Sequence, residues 1–219
     1  MKKCLLALFL LSSPSLLAQD WSIGVGSGAF VFGDFVRRTM QQGTEEGSAT
    51  QTLKLSAETR AGLLVDIERR LSDRFALRAE GTVIRSPLSI KGSDDDGLAL
   101  EAGDIDVATF SLPLVIYINR GGSLRFHIRG GPAYAAYRIH RRQNAPATLG
   151  LFDGTRGEYG LALGGGVAWQ WNDNFAIEGG ISDVSTESPF EEDDFPRIGA
   201  VDLPRTHNVH TTIGLRYSF

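Results

Sequence analysis

Hydrophobic and polar positions alternate with a period of two along most of this chain. The last segment shows it most clearly. Val209, Thr211, Ile213, Leu215, Tyr217 and Phe219 share one face; Asn208, His210, Thr212, Gly214, Arg216 and Ser218 share the other. Residues 159–171 repeat the pattern, with Tyr159, Leu161, Leu163, Val167, Trp169 and Trp171 on one side and small or polar residues between them. A period of two is the mark of a β-strand, because successive side chains leave opposite faces. The same reading gives strands starting near Trp21, Ala61, Phe75, Phe110, Leu124 and Phe175, eight in all. No helical stripe competes with them. Most run about ten to fifteen residues, longer than the ~5–6 usual in soluble sheets.

The connections alternate as well. Three are short and built from turn formers: Leu71 to Arg74, Asn119 to Ser123, and Asn172 to Asn174. Four are long and polar, over about 37–56, 86–104, 139–156 and 184–205. Short turns on one side and long loops on the other are the arrangement of a transmembrane β-barrel. In lipid every backbone polar group must find a partner within the protein, which leaves helices and closed barrels as the spanning structures. The pattern therefore predicts an all-β, eight-stranded antiparallel up-and-down barrel with short periplasmic turns and four long extracellular loops.

Charge sharpens this picture. The polar faces carry both signs, in Asp66, Glu68, Arg78, Glu80, Arg125, Arg129, Glu178 and Arg216, with Arg70 nearby. A soluble barrel would bury its apolar faces instead. Eight strands enclose an interior that side chains fill, so these eight residues are expected to form a charge cluster plugging a polar lumen. Small residues on that face (Gly24, Gly26, Gly28, Gly62, Gly164, Gly166) are expected to make room for the long Arg chains. Trp21, Phe75, Trp169, Trp171, Phe175, Tyr217 and Phe219 flank the short-turn end, where an aromatic girdle meets lipid headgroups.

Composition adds limits. Gly accounts for 26 of 219 residues, well above the usual ~7%. Hydrophobic residues make up 42% and charged residues 22%, which excludes a disordered chain. The formal net charge of −4 argues against a nucleic-acid partner. At the start, Lys2 and Lys3 precede the apolar run Leu5 to Leu11, then small residues and Leu16-Leu17-Ala18. This reads as a secretory signal peptide over 1–18, cleaved between Ala18 and Gln19, ahead of a single barrel domain over 19–219. The one cysteine, Cys4, lies in that leader, away from the expected cleavage site, so neither a lipid anchor nor a disulfide is expected.

Three passages carry a family resemblance. They are Gly214-Leu215-Arg216-Tyr217-Ser218-Phe219; Phe110 to Tyr117 followed by Arg129-Gly130-Gly131-Pro132-Ala133-Tyr134; and Tyr159 to Val167. Together they resemble the small outer-membrane β-barrel proteins of Gram-negative bacteria, the eight-stranded relatives of OmpA and OmpX. The resemblance implies an outer-membrane location in contact with lipid and lipopolysaccharide. It also implies that Gly214, Leu215, Tyr217 and Phe219 form the signal read by the outer-membrane assembly machinery. OmpA carries a second, peptidoglycan-binding domain; this sequence stops at Phe219, so that role is not carried over. Pro113 falls mid-strand, where it removes a ladder donor and predicts a bulge.

Other motifs carry less. Gly24-Val25-Gly26-Ser27-Gly28 lacks the helix a nucleotide loop needs, so no cofactor is expected. The acidic runs Asp94 to Asp96 and Glu191 to Asp194 match no calcium-loop pattern, and His127, His140, His207 and His210 have no zinc spacing; no metal site is expected. Ser182, Asp183, Ser185 and His207 sit near the outer ends of the last two strands, which leaves open a Ser–His–acid hydrolase acting on lipid. The leading expectation is a non-enzymatic, monomeric barrel with a structural or surface-interaction role. Its function would lie in the outer loops, where Phe152, Phe190 and Phe195 would meet an unknown surface partner, and trimming 184–205 would leave folding intact. A lipid-modifying enzyme and a small channel are the alternatives.

Overall fold

A computed structural model describes residues 21–44, 47–92, 100–119, 122–141, 154–195 and 201–219. The leader, its cleavage bond at Ala18 and Gln19, Asp94 to Asp96 and Phe152 lie outside the described residues. Those described form eleven strands: β1 (Trp21–Phe32), β2 (Asp34–Thr44), β3 (Gly47–Ala57), β4 (Arg60–Arg70), β5 (Phe75–Gly92), β6 (Leu100–Ser111), β7 (Leu114–Tyr117), β8 (Leu124–Arg141), β9 (Gly154–Gln170), β10 (Phe175–Thr186) and β11 (Thr206–Ser218). No helix among them is long and apolar enough to cross a membrane.

Eight spans close into a ring. The order is β1, β4, β5, β6 with β7, β8, β9, β10 and β11, and β11 returns to β1 with Ser22 opposite Ser218 and Phe32 opposite Asn208. All neighbours are antiparallel, and consecutive spans are adjacent, the up-and-down barrel that the alternation predicted. β6 and β7 are one span interrupted at Leu112 and Pro113. The register is unchanged across the gap, since Glu80 faces Ser111 and Leu77 faces Leu114. Pro113 therefore removes a rung and inserts no extra residue, in place of the expected bulge.

The long connections are shorter than the sequence suggested, because the strands outrun the apolar belt. Of residues 37–56, those described fall in the paired strands β2 and β3, which continue β1 and β4 outward; β5 runs to Gly92, and β8 runs to Arg141. A backbone that leaves lipid still gains by pairing with its neighbour, so polarity in the sequence did not end these strands.

Outward-facing residues form an apolar belt. Its lower edge is ringed by exposed Trp169, Trp171, Phe175, Tyr217 and Phe219, with Arg69 over the Trp21 ring at 5.5 Å. At the upper edge the rings of Tyr134 and Tyr159 pack 5.1 Å apart. Above it the outer wall turns polar, with Arg85, Asp106 and Arg138. Inside, the lower half is charged, and the upper half is mainly apolar around one buried polar contact of Tyr137 with Thr186 and Asn208. Phe30, Phe32, Phe35, Ile84, Leu88, Ile105, Val107, Tyr137 and Ile139 pack there with Phe190 and Phe195. The two loop phenylalanines expected to face a partner are thus 2% and 3% exposed, and trimming 184–205 would open the core.

Candidate functional site

The lumen cluster is assembled from five strands of the ring. Asp66 and Glu68 on β4 lie beside Glu80 and Arg78 on β5. Arg129 comes from β8, Glu178 from β10 and Arg216 from β11. Arg78, 1% exposed, is the hub. Its Nε and Nη2 donate to Glu68 at 2.9 and 2.6 Å, and its Nη1 donates across the barrel to Glu178 at 2.6 Å. Arg216 donates to Asp66 at 2.7 Å, Glu178 at 2.8 Å and the Ser22 hydroxyl at 2.9 Å. The Tyr117 hydroxyl donates to Glu68 at 2.6 Å. Charge-assisted bonds of this length satisfy buried ions that would otherwise be costly.

Glycine has two parts here, the expected one at Gly24 and another at Gly28. Gly24 lies between Asp66 and Arg216 in the ladder, and a Cβ on it would sit 2.3 Å from Asp66 Oδ2, so its bare backbone is what lets the two charges meet across β1. At Gly28 a Cβ would fall on the carbonyl oxygen of Thr211. There the glycine permits two strands to close, and makes no room for an Arg.

Arg129 stands closer to Glu80 (3.5 Å) and Glu178 (3.7 Å) than to any other carboxylate among the described residues. Arg125 lies apart: it lines a crevice of about 110 Å³ at the short-turn end with Glu68, Arg70 and Asp173 and makes no ion pair among the described residues. The remaining space within the cluster is about 20 Å³, about one water in size, so the lower lumen is filled by side chains. His127 and His210, which the sequence did not assign to the cluster, are buried at its edge, 3.4 Å from Glu178 and 3.6 Å from Glu80.

The mouth is closed by a strap, residues 187–195. Arg156 on β9 donates to both carboxylate oxygens of Asp194, one at 2.9 Å, and to the Pro189 carbonyl at 3.1 Å. The hydrogen bond to Asp194 raises the Arg156 pKa above its ordinary value, so the latch stays cationic. Phe190 packs edge-on against Phe35 at 6.0 Å, and the Ser188 hydroxyl donates to the Phe35 carbonyl at 2.8 Å.

A cleft opens in the wall between β4 and β5. The two strands pair up to Leu63–Val83, and β3 resumes pairing with β5 at Ala57–Leu88. Between these rungs lie five residues on one side (58–62) and four on the other (84–87), a mismatch of one that no regular ladder can absorb. Pro87 has no N–H to offer. The break is bridged by Glu58 N–H to the Pro87 carbonyl at 3.1 Å and the Ser86 hydroxyl to the Glu58 carbonyl at 2.7 Å. The cleft has a volume of about 670 Å³; Ala61, Leu63, Val83 and Ala108 form its walls, and Gly62, Ile84 and Val107 form its floor, the last two side chains belonging to the apolar core. Arg85 and Asp106 stand at its polar rim. A Cβ on Gly62 would lie 2.5 Å from Ile84 and 2.6 Å from Phe30, so Gly62 brings the core up to the floor of the cleft. Sequence reading missed this feature because Ser86-Pro87 reads as the start of a loop.

Of the residues singled out for hydrolysis, His207 Nδ1 lies 2.7 Å from Asp183 Oδ2 on the outer wall. Ser185 faces His207 in the ladder but makes no hydrogen bond to it among the described residues, and the Ser182 hydroxyl donates inward to Leu163. Gly214, Leu215, Tyr217 and Phe219 lie on and just past β11, the last three side chains exposed on the outer wall.

No family model and no curated protein matches the chain. Solved structures do. The outer membrane protein OprG from Pseudomonas aeruginosa aligns over 92% of this chain and 96% of its own, at 16% identity and a TM-score of 0.65. Neisserial surface protein A aligns over 91% and 97%, at 10% identity and a TM-score of 0.54. The chain has the fold of the small eight-stranded outer-membrane β-barrels, and its apolar belt above the aromatic girdle is the surface such a barrel presents to lipid.

Proposed function

We propose that this outer-membrane barrel takes up a small apolar molecule at its outward end and passes it sideways through the β4–β5 cleft into the outer leaflet. The break in the ladder carries the reading. A closed barrel gains a backbone hydrogen bond from nearly every wall residue, and here the wall is opened where the outer surface changes from apolar to charged. The cleft lies within the usual ligand-pocket range of ~300–1,000 Å³. It borders the apolar upper interior, while the charge-filled lower lumen offers no continuous route along the axis. An apolar solute reaches the upper interior only by displacing the 187–195 strap with Phe190 and Phe195, and from there its favourable exit is sideways, into hydrocarbon.

A Cys pair tests it. Ala61→Cys and Arg85→Cys, on the two lips, are bridged by a short reducible bis-thiol reagent in cells producing the barrel. Uptake of a small alkane should fall to the level of cells lacking the barrel and recover on reduction. Unchanged uptake with the lips bridged rules the route out.

The surface-interaction reading keeps one support. β2 pairs with β3 on one side, and its other edge carries only the bridge from Arg37 to Asp202 among the described residues. An open strand edge on the outward end can accept an added strand.

A further inference from the structure

The crevice at the short-turn end opens toward the periplasm from inside the ring, at the opposite pole from the cleft. Alternation puts Ser22, Glu68, Arg70, Arg125 and Ser218 on the inner side of their strands, and with Asp173 on the β9–β10 turn they line about 110 Å³. Its lip is pinned. The Gln170 amide donates to the Asn172 carbonyl at 2.6 Å, and Asn172 Oδ1 accepts from the N–H groups of Asn174 and Phe175 at 3.0 and 2.9 Å. The Asn174 amide donates to the Ser218 carbonyl at 2.8 Å. Walls already ordered leave less entropy to lose when a ligand arrives.

The donors of this crevice are unspent. Neither Arg70 nor Arg125 makes an ion pair among the described residues. Arg70 is steered by a ring instead, its guanidinium carbon 5.9 Å from the centre of Tyr117. Of the four lumen carboxylates only Glu68 lines the crevice, and its two oxygens are taken by Arg78 and Tyr117. Asp173 is exposed on the turn. The Ser22 hydroxyl accepts from Arg216 and keeps its own proton to give; the Ser218 hydroxyl makes no hydrogen bond among the described residues. Two guanidinium forks and two hydroxyls thus line one small space against one uncommitted carboxylate.

We propose that this crevice binds a small soluble phosphate from the periplasmic side, its charge on Arg70 and Arg125 and its remaining oxygens on Ser22 and Ser218. A guanidinium fork suits phosphate and carboxylate alike. Four donor groups around one space favour a tetrahedral oxyanion over a planar carboxylate, which has two oxygens to offer. The lining side chains face the lumen, whereas bilayer headgroups meet the outer wall, so the ligand comes from water. The site does not rest on passage through the β4–β5 cleft.

The test uses the folded barrel in phosphatidylcholine nanodiscs, in phosphate-free buffer near neutral pH, with the Nε–H NMR signals of Arg70 and Arg125 as the readout. Inorganic phosphate should shift both saturably, and acetate should bind about ten-fold more weakly, the factor expected from losing one charge-assisted hydrogen bond. Arg70→Gln and Arg125→Gln should each weaken phosphate about ten-fold, read on the arginine that remains. Asp173→Asn should tighten it about two-fold, by removing a like charge at a solvated mouth. Arg74→Gln, on the neighbouring turn and outside the crevice, should leave binding unchanged. A boiled-against-unboiled gel shift confirms that each variant folds. Shifts that never saturate, acetate as strong as phosphate, or equal losses in Arg74→Gln and Arg125→Gln would reduce the site to a diffuse positive rim and overturn the proposal. Shifts of the same signals by phosphatidylglycerol added to the bilayer, with no phosphate present, would also overturn it, by putting a lipid headgroup in the crevice.

Discussion

Replacing Arg78 by Met should cost about 3 kcal/mol of barrel stability. The lower lumen holds the carboxylates of Asp66, Glu68, Glu80 and Glu178 against the guanidinium groups of Arg78, Arg129 and Arg216, four against three. Removing the hub leaves four against two, and Glu68 loses both of its shortest ionic bonds. Breaking one side of a buried pair costs about 3–5 kcal/mol, because the partner stays buried and uncompensated. The lower end applies here: Arg216 still holds Glu178 at 2.8 Å and lies 3.8 Å from Glu68, and Tyr117 still donates to Glu68. The assay is urea unfolding in phosphatidylcholine vesicles, followed by fluorescence of Trp21, Trp169 and Trp171. Arg125→Met, at the rim with no ion pair among the described residues, is the control and should change stability by less than about 0.5 kcal/mol. Adding Glu68→Gln to Arg78→Met should recover about 1 kcal/mol by removing one orphaned charge. If Arg78→Met unfolds within about 0.5 kcal/mol of the parent, water screens the cluster and the burial argument is wrong.

Other expectations follow from the same geometry. Gly28→Val should abolish the heat-modifiable band on SDS gels, because a side chain there meets the Thr211 carbonyl and keeps β1 from closing on β11. Gly62→Ala should lower stability by about 1–3 kcal/mol through crowding of Phe30 and Ile84, read by the same urea titration. Arg156→Gln should leave global unfolding within about 1 kcal/mol of the parent, since the pair with Asp194 is partly exposed, yet expose the strap to protease cleavage within 187–195; a strap that stays resistant would show that Phe190 and Phe195 hold it alone. Deleting Phe219, whose exposed ring sits in the lower girdle, should reduce the yield of folded barrel in the outer membrane without blocking refolding in detergent. Equal losses in both would assign it to stability instead of assembly.

The sequence alone determined the barrel. Period two is local, and with strands of this length it names the two faces of each span before any pairing is known. The sorting of short turns from long connections then gave the closure. The same alternation placed Asp66, Glu68, Arg78, Glu80, Arg129, Glu178 and Arg216 on the inner face, where opposite charges had to find one another. Tertiary structure decided which of them met, because that depends on strands far apart in sequence: Arg78 reaches Glu178 across the ring, and Arg216 reaches Asp66 over Gly24. Arg125 shares the inward pattern but stands too near the rim. It also decided where strands end, since polar residues above the membrane kept pairing in β2, β3, β5 and β8. Phe190 and Phe195 looked like loop aromatics, and only the folded strap turned them inward. The cleft depends on counting five residues against four across two strands. That mismatch is a property of register between strands, which no one strand's sequence records.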